Sequence, residues 1–221
     1  QAAPLHRVEP AVAAPGPAAR DAEADGVFPP AKERLLELGE QRLRSNWPVA
    51  TPVEAGAFER VRAQLETFWN TMHDPGAEIL LLEGQGHGGT RVRPFGYSHR
   101  GEHTMIAKLD RVDRLPSGGF RIVDYKTGAA TKTLLEPKKD DLQLSIYAMA
   151  LMEHLELTEP PEGTAEYWVV ATGDRGVIDL AKLDLEKARA RINKAIDGML
   201  DGRYDQTSNP RECSGLCAVL G

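Results

Sequence analysis

Ile106-Ala107-Lys108-Leu109-Asp110-Arg111-Val112-Asp113, a turn at Pro116-Ser117-Gly118-Gly119, and Phe120-Arg121-Ile122-Val123-Asp124-Tyr125-Lys126 form the stretch from which the fold is read. Two apolar runs bounded by Pro, Ser and Gly predict a β-hairpin. In the second run the two-residue period puts Ile122, Asp124 and Lys126 on one face and Val123 and Tyr125 on the other. An acid and a lysine side by side on a strand suited to burial are costly unless they act on something. Asp110, at the end of the neighbouring run, can reach the same face. Asp113 follows it by three residues, so a strand points it to the opposite face, where it is read as structural or as a partner of Arg111 or Arg114. Two carboxylates and a lysine suffice to hold a hard divalent cation and to orient a water for phosphodiester hydrolysis.

A third element lies downstream. Gln143-Leu144-Ser145-Ile146-Tyr147 sits in a helical pattern, and the i, i+4 spacing places Gln143 and Tyr147 on one helix face. The ordered set Ala107-x-x-Asp110-Arg111-Val112-Asp113, Asp124-Tyr125-Lys126-Thr127-Gly128 and Gln143-x-x-x-Tyr147 resembles the PD-(D/E)XK nuclease superfamily. Within it, the set is most similar to the RecB-like nuclease domains of bacterial helicase–nucleases of the AddB and Adn kind. The resemblance is strong over residues 90–155 and weaker over 27–90 and 165–217.

The resemblance implies an α/β fold, a restriction-endonuclease-like core with a mixed central sheet flanked by helices. It implies that Asp110, Asp124 and the Tyr125 carbonyl hold Mg²⁺ or Mn²⁺, and that Asp110, Asp124 and Lys126 form the catalytic set. All three ligands are oxygens, as hard cations prefer. Lys126 would orient the attacking water and offset charge on the phosphate. Gln143, Tyr147, Thr127, Lys138 and Lys139 would contact DNA or brace the site, and Gly128 would let a phosphate backbone approach. The implied activity is a divalent-metal-dependent DNA nuclease, an exonuclease rather than an endonuclease. It would act on single-stranded ends with a helicase subunit or domain in double-strand-break repair. A catalytically inactive DNA-binding or assembly module on the same fold is the alternative. Read from the residues alone, Lys126 could instead form a simple salt bridge with one of the acids, and Tyr147 could pack on the sheet beside an exposed Gln143.

The chain departs from the family pattern in three places. Ala107 stands where glycine is usual. Many relatives carry a metal-assisting His on an upstream helix, but the one His well upstream here is His6, in an Ala/Pro-rich stretch. Glu37 and Glu40 are the candidate substitutes, and His73, His87, His99 and His103 read as surface residues. Relatives with an iron–sulfur cluster end in several cysteines, whereas this chain has only Cys213 and Cys217. A cluster needs four thiolates, so none is expected; a zinc held by the two cysteines with histidines is the alternative.

The chain has 221 residues, 41% hydrophobic and 27% charged, enough to bury one full core. No apolar run approaches the roughly 18 residues of a membrane span. The opening stretch lacks a basic start followed by an apolar core, so no secretory leader is expected and the cytoplasm is the expected compartment. Absence of an initial Met suggests a fragment or a processed chain. The net charge of −6 argues against a stand-alone non-specific nucleic-acid binder. Between 91 and 139, however, eleven Lys/Arg meet five Asp/Glu, with the proposed site at the centre, so local phosphate binding or a merely solvated hairpin face are both open.

Residues 1–30 read as a linker or disordered arm, and 31–221 as the nuclease domain with a C-terminal helix and tail. Helices are predicted over 31–44, 54–72, 136–155 and 184–200. Strands are predicted over 79–83, 90–98, 103–113, 120–126, 165–171 and 176–180. Gly84–Gly89 lacks the Gly-Lys-Ser/Thr ending of a phosphate-binding loop and reads as a turn, so any ATP use would come from elsewhere.

Overall fold

The computed structural model describes residues 32–46, 52–83, 85–86 and 94–203. The elements are helices α1 (Lys32–Asn46) and α2 (Pro52–Thr71), then strands β1 (Glu78–Leu82), β2 (Gln85–Gly86), β3 (Phe95–Ser98), β4 (Glu102–Met105), β5 (Arg111–Arg114) and β6 (Phe120–Lys126). They continue as α3 (Lys132–Leu135), α4 (Leu142–His154), β7 (Gly163–Val169), β8 (Asp174–Asp179), a 3₁₀ turn at Leu180–Lys182 and α5 (Leu185–Leu200).

The main sheet has the order β2-β1-β5-β6-β7-β8. All its pairs are antiparallel except β6–β7, which are parallel and joined through α4. The sheet is therefore mixed and covered on both faces, as the sequence implies. On one face Ile122, Val112 and Ala165 pack with Leu144, Ala148 and Leu151 of α4 and Ala188, Ile192 and Ile196 of α5. On the other, Val123 and Trp168 pack with Met72, and Phe68 of α2 and Tyr125 border that cluster. Ile122 and Val123 thus fall into different clusters, which is the alternation read from the sequence.

Three boundaries differ from expectation in ways that matter for the site. The strand expected over 103–113 is two strands: β4 pairs with β3 in a separate ribbon, and β5 joins the main sheet only at Arg111. Between them Ala107 and Leu109 turn into the core, and the Asp110 carbonyl accepts the Glu83 N–H at 2.8 Å. The helix expected over 136–155 begins at Leu142, because Asp141 caps it by accepting the Leu144 N–H at 3.0 Å and Pro137 disfavours helix at Glu136. The strand expected over 90–98 starts at Phe95; Arg91 and Arg93 lie outside the described residues, as do 1–31 and the tail from 204 with Cys213 and Cys217. Among the described residues no helix is long and apolar enough to cross a membrane.

Candidate active site

β6 carries Asp124 and Lys126 toward the start of α4, at the carboxyl ends of the parallel β6–β7 pair, where open α/β sheets bind ligands. Asp124 is 3 % exposed. Its Oδ1 accepts Gln143 Nε2 at 2.6 Å and the Tyr147 hydroxyl at 3.2 Å. Gln143 Nε2 also donates to the Tyr147 oxygen at 3.1 Å, and Lys126 Nζ donates to Gln143 Oε1 at 3.0 Å. The i, i+4 pair on α4 therefore closes over the acid–lysine pair on β6. Tyr147 does more than pack on the sheet, and Gln143 does not simply face solvent.

The second oxygen of Asp124 is different. Lys126 Nζ lies 2.7 Å from Oδ2, yet Oδ2 is buried without a hydrogen bond. The ammonium is close but outside hydrogen-bonding geometry, so charge proximity alone compensates this oxygen. A buried carboxylate oxygen without a hydrogen bond calls for an explanation.

Asp110 arrives from the other side. The β5–β6 ladder ends at Arg111–Val123, and the Tyr125 N–H beyond it donates to Asp110 Oδ2 at 2.9 Å. The break between β4 and β5 frees Asp110 for this role. Burial pushes the Asp110 carboxyl above the ordinary Asp range; the Tyr125 N–H opposes that shift and the nearby Asp124 charge adds to it. Burial likewise pushes the Tyr147 phenol up to about 12; the Gln143 bond opposes the shift and Asp124 reinforces it. Two carboxylates, Asp110 held above its ordinary range partly by the other's charge and Asp124 with an unbonded buried oxygen, suit a cation with oxygen ligands. Among the described residues no group of three or more His, Cys, Asp or Glu is placed to hold a metal. A cation here would have Asp110 and Asp124 as its carboxylate ligands, with the Tyr125 carbonyl as the third protein oxygen; Mg²⁺ tolerates so few because it keeps several waters.

The other expected residues are placed less uniformly. The Thr127 carbonyl accepts Gln64 Nε2 from α2 at 3.2 Å. A Cβ at Gly128 would meet open space, so the fold itself does not require glycine there. Lys138 and Lys139 are exposed, and no ion pair holds either to the described residues. Lys138 lines a cleft of about 370 Å³ with Gln143, Tyr167 and Arg191, so it borders the site; Lys139 is not on that wall. Glu37 and Glu40 are engaged on their own helix, by Arg34 and Gln41 and by Arg44 respectively. The basic stretch from 91 to 139 is not one phosphate-facing surface. Arg111 and Arg121 point to the opposite side of the sheet, where both bind Asp113 at 2.6 Å. Lys108, Arg100 and Arg114 pair with Glu83, with Asp197 and Asp201, and with Glu78. Asp113 is thus structural and a partner of Arg111, as the spacing suggests, but its second partner is Arg121 and not Arg114.

Sequence reasoning missed Tyr167, Asp141 and Gln64. Asp141 before an apolar helix is a legible cap signal. Tyr167 and Gln64 carry no local signal, because what they touch is set by the β6–β7 register and by the docking of α2.

A search of curated proteins finds no match. A family model described as the PD-(D/E)XK nuclease superfamily matches residues 18–221, nearly the whole chain. With Asp110, Asp124, Lys126, Gln143 and Tyr147 meeting at the end of β6 on a mixed sheet, the match and the geometry agree, and the chain belongs to the PD-(D/E)XK nuclease superfamily.

Proposed function

We propose that the chain is a DNA nuclease dependent on Mg²⁺ or Mn²⁺, with Asp110, Asp124 and Lys126 as its catalytic set. The observation that carries this reading is the buried Asp124 Oδ2 without a hydrogen bond, beside Lys126. A bound divalent cation supplies polarisation of the phosphoryl oxygen and a lower pKa for an attacking water. The protein's own groups do the rest. Asp110, just before β5, and Asp124, on the neighbouring β6, present carboxylate oxygens. Lys126 places a fixed positive charge where negative charge grows on the phosphate. Gln143 holds both Asp124 and Lys126, so the acid and the ammonium keep one mutual geometry. The Tyr147 hydroxyl donates to Asp124, and burial holds its phenol above the ordinary value, which suits it as a donor.

The finer reading is an exonuclease on single-stranded DNA ends, working with a helicase subunit or domain in double-strand-break repair. Its support is the likeness of the Asp110, Asp124-Tyr125-Lys126-Thr127-Gly128 and Gln143/Tyr147 segments to AddB- and Adn-like nuclease domains. A non-catalytic DNA-binding or assembly module is the second reading. It is favoured by the many basic residues of 91–139 already paired with acids and by the engagement of Glu37 and Glu40 on α1.

Incubation of the purified chain with labelled single- and double-stranded DNA in Mg²⁺, Mn²⁺ or EDTA separates the two. The nuclease reading expects metal-dependent product, lost in Asp124→Ala, and turnover reduced about a hundredfold or more in Lys126→Ala. Lys126→Arg is not expected to rescue, because a guanidinium does not reproduce a compact ammonium. DNA binding that is untouched by Asp124→Ala and never yields product would establish the module instead.

A further inference from the structure

Tyr167 is 3 % exposed in the middle of β7 and touches both halves of the site. The parallel register sets it beside Asp124. Its ring centroid lies 5.0 Å from Lys126 Nζ, within cation–π range. Its hydroxyl donates to Asp141 Oδ1 at 2.9 Å. That oxygen also accepts the Leu144 N–H, the capping bond of α4. Gln143, which bonds Asp124 and Lys126, lies in the turn that this cap fixes. Burial pushes the Tyr167 phenol above its ordinary value, with the Asp141 charge adding to the shift, so the hydroxyl keeps its proton for Asp141.

We infer that Tyr167 is a positioning residue of the nuclease site: its ring holds the Lys126 ammonium, and its hydroxyl, through Asp141, holds the α4 turn that carries Gln143. A lysine stem has four rotatable carbons and many rotamers. Among the described residues Lys126 donates a hydrogen bond to Gln143, forms an ion pair with Asp124 and feels the charge of Asp110. The ring gives the ammonium a third wall, so its position does not depend on Gln143 alone. The inference rests on the role proposed for Lys126. A tyrosine that merely fills the core would affect stability and nothing else.

The two contacts are separable. Tyr167→Phe keeps the ring and removes the hydroxyl; Tyr167→Leu removes both, and Tyr167→Met replaces Leu if the latter does not fold. The first measurement needs no metal and no cleavage. Lysine-labelled full-length chain is examined by carbon NMR, where a ring over Lys126 displaces its ε-methylene resonance, assigned by its loss in Lys126→Ala. The displacement is expected to persist in Tyr167→Phe and to vanish in Tyr167→Leu or Tyr167→Met. The second measurement is cleavage. Loss of the ring is expected to lower kcat between about twofold and thirtyfold, the range of a cation–π contact, with KM for DNA little changed. In a Lys126→Ala background, Tyr167→Leu or Tyr167→Met is expected to have no effect beyond that of Tyr167→Phe, because only the contribution of the ring passes through Lys126. An undisplaced Lys126 resonance in a folded Tyr167→Leu or Tyr167→Met chain is the expected result; a displacement that survives removal of the ring would overturn the inference. So would an undiminished loss of kcat in the Lys126→Ala background. Wild-type cleavage by Lys126→Ala would instead refute the role of Lys126, and the NMR result would still decide whether the ring holds the ammonium.

Discussion

Asp110 and Asp113 are three residues apart in one short run and do unlike work. Asp113 is fully buried between Arg111 and Arg121, the latter reaching on to Asp74 at 3.2 Å, and both guanidinium groups lie near the Trp168 ring. Removing one member of such a group leaves uncompensated buried charge. Asp113→Ala is therefore expected to cost about 3–5 kcal/mol in denaturant unfolding, while the folded fraction still cleaves. Asp110 behaves in the opposite way. Its carboxyl titrates above the ordinary Asp range in the folded chain, chiefly through burial. The folded state thus holds its proton longer than the unfolded state, and this group's contribution to stability falls as pH rises from the ordinary carboxylate range through the raised folded value. Asp110→Asn keeps an acceptor for the Tyr125 N–H and removes that charge. In EDTA it is expected to melt above the parent at neutral pH, with the gap closing on acidification. A gap that widened on acidification would contradict this origin. The odd spacing told from sequence that the two acids part company; that Arg121 from β6, and not Arg114 on β5, meets Asp113 was not legible, because it depends on the β5–β6 register.

At the scale of elements, two glycines show why the strands that carry the site lie where they do. Gly163 opens β7 at φ 143°, and a Cβ there would fall 1.8 Å from the Phe120 carbonyl oxygen, so only glycine lets β7 start against β6. Gly176 in β8 faces α3, and a Cβ would fall 1.8 Å from the Leu134 carbonyl oxygen. Gly176→Ala is expected to lift α3 from β8 and to cost about 1–3 kcal/mol, measured as a lower denaturant midpoint with an unchanged slope. α4 was legible as a helix from its apolar positions, but its start was read six residues early, since the loop 136–141 carries no periodic signal and only the cap at Asp141 marks the start. The break between β4 and β5 was also hidden. Ile106 to Asp110 looks as strand-like as its neighbours, yet Ile106 is 80 % exposed while Leu109 is fully buried, the mark of a chain leaving one sheet for another.

For the molecule as a whole, the balance of charge bears on how the proposed DNA substrate would be held. The net charge is −6, and several bases between 91 and 139 already have acidic partners. Lys138 and Lys139 remain exposed without ion pairs among the described residues. Changing both to Ala is expected to flatten the salt dependence of single-strand binding by about 0.7 in log–log slope for each phosphate that they neutralise. The drop in affinity is expected to be equal across sequences, since phosphate contacts carry no base information. Binding isotherms over a salt series check both; an unchanged slope would remove these lysines from the interface. By itself the sequence determined the hairpin, the alternation that parts Asp124 from Tyr125, the shared face of Gln143 and Tyr147, and the family, because these depend on periods of two and 3.6 residues and on ordered motifs. Only the tertiary structure decided that Arg121 serves Asp113, that Asp110 takes the Tyr125 N–H, and that the Tyr167 ring stands over Lys126. Those contacts join residues on different strands, and the partner of a side chain across a sheet is set by register and strand order, which no local pattern carries.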